Sequence, residues 1–468
     1  MMQKIKEKLF WKNDRRGTGV LMFIMVFGSI ATVIIVSGIS SYALFEHRAS
    51  TRKHDRDLAL HIAEAGANYY RWHLAHNPED YTDGTGVTPG PYIHDYTDKD
   101  GNVIGQYSLE IDGPLPGSTV VTVRSTAWTA WNPSVQRTIQ IRVGFPSLAD
   151  YATLSKASMN FSFTTEVHGP VHSNGGIRFD GTTDSWVTSA KETYKYENQT
   201  HNGVWGGGGP KEFWEYPVPE VDFDAISADL ADLRDDADEN GVHLNSSGEE
   251  GWHIVFDGDS FDLYKVLTKD CYYGEGRWRN RGWSGWYWDG NIYCYDIGTE
   301  EYVSTSGIPV NGALFVEDNV WVSGTLDGRV TVAVGRFPVQ EPYEDIIISG
   351  NVLYTEKGSD DVLGLITQGD IIVPYEVPEA MEINAAALAQ YGKVYRPYYY
   401  EDMKTSLTFF GSQISYDGGG WKYVNGWGNV ISGFEDTFHV YDGNLKYSPP
   451  PGFPVEPTYE LISWEELE

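Results

Sequence analysis

The sequence predicts an α+β protein. A long N-terminal transmembrane and amphipathic helix with a small antiparallel sheet is followed by a mainly β domain, read as a parallel β-helix or solenoid. Three observations lead there. Gly19 to Phe45 contains no Asp, Glu, Lys, Arg, Pro or Asn, and an uncharged apolar run longer than about 18 residues is a candidate membrane span. Three stretches between Gln106 and Val143 alternate apolar and polar residues, the pattern of half-buried strands. Beyond Phe145, short β-branched segments recur between Gly, Asn and Asp, which is the rhythm of short strands and tight corners.

The helix comes first. A secretory signal has an apolar region of about 7–15 residues and a small-residue cleavage site, and this longer run fits a membrane anchor instead. After it, Leu58, Ile62, Ala65, Tyr69 and Trp72 recur at steps of four and three, with Asp57, Glu64 and Arg71 off that stripe. This is an amphipathic continuation meant to lie on a sheet. No Pro interrupts the join, so one helix of about 57 residues and about 85 Å is expected. Ser37 and Ser41 are small residues that would let another helix approach closely. The segments are a basic leader over 1–17 and the helix over 18–76. Lys4, Lys6, Lys8, Lys12, Arg15 and Arg16 precede the span against Glu7 and Asp14, which keeps the N-terminus inside and places the chain from Glu46 outside. Arg48, Arg52, Lys53 and Arg56 stand on the far side.

Charge supports that arrangement. The chain has 34 basic and 66 acidic residues, of which residues 1–76 hold 11 and 6. An ectodomain this acidic repels phosphate backbones, so nucleic acid is not an expected partner.

Residues 77–145 read as a loop and a small antiparallel sheet packed on the helix, with strands over Gln106–Ile111, Thr119–Trp128 and Val135–Val143. Asp98, Asp100 and Asn102 imitate the start of a calcium loop, but no bidentate Glu follows; Asx-Gly turn chemistry favours a hairpin. Residues 146–455 form the β ectodomain, with segments such as Ala313–Val316, Val320–Val322, Val330–Val334, Ile346–Ile348, Gly364–Ile366 and Leu407–Phe409 stacking as a solenoid. A β-sandwich is the alternative. A helical insertion is expected over 222–240, with Phe223, Ile226, Leu230 and Leu233 at helical spacing, Asp222 as cap and Gly241 as stop. Asp236, Asp238 and Asn240 resemble an EF-hand opening, yet its twelfth position is Ser247, an incomplete ligand set. Residues 456–468 read as a C-terminal tail.

Cys271 and Cys294 are the only cysteines. Outside the cytoplasm they would pair and clamp an aromatic hairpin over 271–294, and two buried thiols are the other reading. Arg277, Arg279 and Arg281 at two-residue spacing would share a strand face near Trp278, Trp283, Trp286 and Trp288. Planar rings beside forked donors suit sugars or a protein partner; the rings could equally be the hairpin's own small core. Tyr416–Asn429 is a second aromatic, Gly-rich stretch open to the same two readings. His168 and His172 would sit about 13 Å apart in an extended strand, too far for one ion. No nucleophile elbow, zinc-protease, P-loop or dinucleotide motif occurs, so neither catalytic residues nor a metal or cofactor is expected.

The order of parts resembles type IV pilins and pseudopilins: a basic leader ending in Gly, an unbroken hydrophobic helix, DLALHIAEAGANYYRWHL, then a small sheet. DRDLALHIAEAG is similar to the N-terminal region of PilX-like minor pilins. GPVHSNGGIRFDG, DVLGLITQGDIIVPY and PPPGFP are similar to the ectodomains that accompany such leaders. The resemblance implies cleavage by a prepilin peptidase after Gly17 or Gly19, and partnership with other pilins or pseudopilins and with pilus assembly machinery. Most of these proteins carry Glu five residues into the mature helix, where this chain has Met22 or Ile24; that resembles specialised minor subunits. The expectation is a non-enzymatic minor subunit of a type IV pilus or related secretion filament, displaying its ectodomain for assembly or surface adhesion. A membrane-anchored adhesin that binds surface glycans, and a β-helix polysaccharide-degrading enzyme, are the alternatives.

Overall fold

From Arg15 to His76 the chain is one continuous helix, α1, as the absence of Pro and the two successive apolar patterns dictate. The computed structural model describes residues 15–223, 229–280, 286–456 and 458–467. The architecture is α+β: the long N-terminal helix is followed by a large β-rich region. Two units are present. One takes the chain to Asp112, Thr122–Arg142 and the segment from Ile462; the other takes Gly113–Val121 and Val143–Leu461.

In the first unit, β1 (Tyr92–Thr97), β2 (Val103–Asp112), β3 (Val120–Thr129) and β4 (Asn132–Gly144) follow one another in one sheet. Asp98 closes the first hairpin as expected, accepting the amides of Asp100 and Asn102, each at 2.9 Å. Alternation puts Tyr107, Leu109, Val123, Ala127, Ile139 and Ile141 on the buried face. The residues read as a C-terminal tail instead supply a strand, Glu460–Leu467, beside β4. Gln140 donates to Glu465 Oε1 at 2.7 Å, and Arg137 pairs with Glu466.

The face of α1 that is buried lies about one position along from the predicted stripe. Ala59, Ile62, Ala63, Ala67, Tyr70 and Leu74 are buried, whereas Leu58, Ala65 and Tyr69 are half-buried and Trp72 is 58% exposed. Close approach explains the difference. A Cβ on Gly66 would lie 2.4 Å from Ser125 Oγ and 2.7 Å from the Tyr107 ring, and one on Gly105 would lie 2.5 Å from Ile62 Cδ1. Small residues therefore form the seam, and larger ones flank it.

Polar bonds fix the helix at both ends of this seam. Asp55, 1% exposed, accepts Trp131 Nε1 and Asn132 Nδ2, each at 2.8 Å. Those two bonds, led by the one from Asn132, hold its carboxyl below the usual range. At the C-terminal end, Tyr70 donates to the Asp80 carbonyl at 2.7 Å, and the His73 ring meets the Asp80 carboxylate at 2.9 Å. Asp80 also accepts the Thr82 hydroxyl at 2.7 Å and the amides of Thr82 and Gly84. These bonds, the Thr82 hydroxyl foremost, pull its carboxyl down to about 2. A depressed carboxylate stabilises the fold above its unfolded value, near 4, and that contribution disappears as pH falls towards 2. Asp80→Asn should therefore flatten the acid limb of a stability–pH profile between about pH 4 and 2. An unchanged acid limb would contradict this role.

The second unit holds a mixed 22-stranded sheet. One parallel ladder runs through Val242–Leu244, Ala313–Val316, Arg329–Val334, Val362–Thr367, Ala380–Ala389 and Met403–Ser415. It continues, against chain order, into Thr153–Ser155, Val171–Ser173 and Val187–Ser189. Antiparallel pairs join it at Gly251–Gly258 with Ser260–Asn280 and at Lys422–Val424 with Val430–Val440. The sheet is therefore mixed, not the uniformly parallel solenoid the rhythm of the sequence suggested. Both faces of the ladder are covered, which accounts for its continuous apolar runs. Leu314, Val332, Leu365 and Ala387 enter one core, while Ala313, Ala333, Ile366 and Leu388 enter another. The latter core takes Leu230, Leu233 and Ala237 from α2 (Asp229–Asn240). This is the predicted insertion; Ile226 lies outside the described residues.

Candidate functional site

Two features hold the residues singled out by sequence: the first half of α1 and the aromatic hairpin. From Val20 to Phe45 the helix is exposed almost throughout, with nothing packed over it among the described residues. Phe23, Phe27, Ile34 and Phe45 are 71%, 66%, 66% and 69% exposed, and none of the most apolar 18-residue window is buried. Two of its hydroxyls bond back to the helix, as apolar surroundings would require: Ser29 donates to the Val26 carbonyl at 2.8 Å and Thr32 to the Gly28 carbonyl at 2.7 Å. Ser37 and Ser41 are exposed, and a Cβ on Gly19, Gly28 or Gly38 would meet nothing within 4 Å. Packing among the described residues thus gives no reason for those small residues. Gly17 lies within α1, and the rest of the leader before Arg15 lies outside the described residues. A helix of this length and apolarity fits a membrane anchor.

The aromatic hairpin is longer than predicted. Ser260–Asn280 pairs antiparallel with Trp286–Gly307. Cys271 and Cys294 are bonded to each other, but they sit partway along the hairpin, between the pairs Asp270–Asp296 and Tyr272–Tyr293. Below the bridge the hairpin joins the main sheet through Gly251–Gly258. Above it, Tyr272 stacks on Tyr375 at 3.9 Å and donates to Glu376 Oε1 at 2.6 Å, and the Tyr400 amide donates to the Tyr273 carbonyl at 2.8 Å.

The register separates the arginines from the tryptophans. Trp278 lies opposite Trp288, while Arg277 lies opposite Asp289 and Arg279 opposite Tyr287. Opposed residues share a face and neighbours along a strand alternate, so the two tryptophans occupy one face and the two arginines the other. Among the described residues, Arg277 and Arg279 therefore do not share a face with Trp278 and Trp288. Arg279 is instead paired with Asp289. Trp278 and Trp288 meet edge to face at 5.6 Å, and Tyr273 and Tyr400 complete the cluster at 5.0–5.1 Å. Tyr273 and Tyr400 were missed from sequence because neither lies in the Arg/Trp run. Tyr273 and Trp278 keep 43% and 44% of their surface exposed. Arg281 and Trp283 lie outside the described residues, as does the side chain of Trp286.

Chain-entropy estimates give the bridge about 3 kcal/mol. In Cys271→Ser/Cys294→Ser, amide exchange should accelerate about a hundredfold over the outer ladder while the ladder from Ser260 to Asp270 keeps its rates. Equal acceleration of both parts would show that the bridge does not divide them.

The two histidines of HGPVHS are not brought together. His168 contacts Asp184 at 2.8 Å and Glu166 at 3.0 Å, and its proton affinity is raised chiefly by the Asp184 bond. His172 is buried between Thr188 at 2.9 Å and Asn174 at 3.0 Å, and burial lowers its proton affinity. In the helix 229–240, Asp238 is engaged with His243 at 2.7 Å.

No family model and no curated protein matches this sequence. Among solved structures, the chain is similar to the competence-associated pilin ComZ from Thermus thermophilus, with 14% identity and a TM-score of 0.31 over 87% of this chain and 97% of that one. At that score the likeness is too distant to assign fold or function.

Proposed function

We propose that this chain is a minor, pilin-like structural subunit of a type IV pilus or related secretion filament. The observation that carries the reading is the division of α1. Its second half is seated on the small sheet through a seam of small residues, and its first half is apolar and without a partner among the described residues. Such a half-helix must lie in lipid or among other helices. In this reading it is stored in the membrane with the N-terminus inside and the ectodomain outside. It then packs against other pilins or pseudopilins, with Ser37 and Ser41 at the close contacts. A prepilin peptidase would act after Gly17 or Gly19, and the assembly machinery would transfer the helix from bilayer to filament. The parallel ladders and the antiparallel hairpin attached to them make a large, mixed β-rich ectodomain. Its bulk suits a rare or terminal position better than the shaft. The role is structural and displays the ectodomain; no catalytic step is assigned.

Fractionation tests this directly. The chain should resist alkaline extraction from membranes and should also occur in sheared surface filaments. Recovery from membranes alone, in cells that assemble filaments, would favour a permanent anchor. The partly exposed Tyr273–Trp278–Trp288 cluster supports a second, compatible role in adhesion to surface glycans; unchanged attachment after Trp278→Ala/Trp288→Ala would remove it.

A further inference from the structure

Just beyond the apolar segment, α1 carries Arg48, Arg52 and Arg56 at successive four-residue steps, with Lys53 beside them. All four are exposed. None forms an ion pair among the described residues, although acidic residues outnumber basic ones 66 to 34 in the chain. Four-residue steps turn by about 40° each, so the three arginines form one stripe. They border a cavity of about 1120 Å³ whose other walls include Phe45, Asn132 and Arg137. Arg52, Arg56 and Arg137 also line an adjoining cavity of about 650 Å³. Of the acidic groups in reach, Asp55 is held by Trp131 and Asn132, Glu46 accepts Tyr42 and Glu466 pairs with Arg137; Asp57 is the exposed carboxylate that also lines the larger cavity, one negative charge against the four basic residues of this stretch.

We infer that this arginine stripe binds the phosphate headgroups of anionic phospholipids in the leaflet from which the helix emerges. The inference rests on the membrane-stored reading of α1. Position argues for it. Arg48, Arg52 and Arg56 lie about 5, 11 and 17 Å beyond Phe45 along the axis, and the headgroup layer on each side is about 5–8 Å thick. Side chains on a helix lean towards its N-terminus, which here is the membrane side, so the guanidinium arms of Arg48 and Arg52 reach back into that layer, with Arg56 at its outer edge. Guanidinium groups are suited to phosphate because they donate in pairs. The stripe would set the depth of the span and hold the small sheet at the surface until the helix leaves the bilayer.

The test uses the full chain in neutral micelles, with bound lipids counted by native mass spectrometry. Phosphatidylglycerol and phosphatidylcholine are added in equal amounts. Phosphatidylglycerol adducts should dominate by tenfold or more. Each basic residue near an anionic surface contributes roughly a fivefold effect, so Arg48→Gln/Arg52→Gln/Arg56→Gln should abolish the preference while Arg48→Lys/Arg52→Lys/Arg56→Lys keeps much of it. Equal adducts in the parent chain, or an undiminished preference in the Gln variant, would overturn the inference. So would displacement of the lipid by inorganic phosphate alone, which would make a soluble anion the ligand, or self-association that the Gln variant loses, which would make an acidic surface of a second copy the partner. Unchanged melting of the Gln variant shows that it is folded. Alkaline extraction separates the two readings: both chains should stay in the membrane, and release of the parent chain would contradict the anchor itself rather than the lipid site.

Discussion

Asp402→Ala should destabilise the ectodomain by about 3–5 kcal/mol, the usual cost of leaving one partner of a buried ion pair alone. Arg396 is 0% exposed and Asp402 7%, and the two side chains are paired. Arg396 also donates to the Tyr375 carbonyl at 3.1 Å and lies over the rings of Tyr399 and Phe434, at 5.1 and 5.4 Å. Burial lowers the proton affinity of its guanidinium, and Asp402 is the main opposing influence. Removing the carboxylate leaves that guanidinium charged, buried and beside Lys404, which now faces Asp402 at 3.5 Å. The aromatic hairpin depends on the same segment, because Tyr375 stacks on Tyr272 and Tyr399 packs against Tyr293. Denaturant melts of Asp402→Ala and of Arg396→Met/Asp402→Leu decide the matter. The double variant should recover much of the loss, since replacing both partners removes the unpaired charge. A loss below about 1 kcal/mol in the single variant would show that the pair contributes little.

Gly66→Val should cost about 2–3 kcal/mol, the upper part of the 1–3 kcal/mol range for overpacking. A Cβ at this position would press on Ser125 Oγ at 2.4 Å and on the ring carbons of Tyr107 at 2.7 and 2.9 Å. Both neighbours are buried, and the ring carbons near its root have little room to move. Valine forms helix better than glycine by a few tenths of a kcal/mol, so any loss measures packing. Because α1 lies on the sheet through this seam, the variant should loosen the helix from β2 and β3. Faster exchange at the amides of β2 and β3 would report it. Unchanged stability in Gly66→Val would mean that the seam is not tightly packed.

Much of the first unit was legible because its signals are local. The span, the Asx-Gly hairpin and the alternation of β2 to β4 all lie within short windows of sequence. The buried face of α1 was misplaced because Leu58, Tyr69 and Trp72 score as an apolar stripe, whereas close packing selected Ala59, Ala63, Gly66 and Ala67. The strand Glu460–Leu467 was read as a tail because four of its eight residues are polar or acidic and its partner β4 is more than 300 residues away. The ladder that joins Met403–Ser415 to Thr153–Ser155 is equally non-local. In the hairpin, residue types near the bridge were visible, but the register that sends Arg277 and Arg279 away from Trp278 and Trp288 is set by pairings that begin at Ser260 and Gly307. The Arg396–Asp402 pair and the Asp55 clamp went unnoticed because burial of a charge depends on what packs around it.

The central proposal, that α1 is an assembly element kept in the membrane until it enters a filament, is tested most directly by the N-terminal mass of the mature chain from cells with and without an active prepilin peptidase. The expected result is a chain beginning at Thr18 or Val20 only where the peptidase is active. Mature protein that keeps its basic leader in peptidase-competent cells would contradict it.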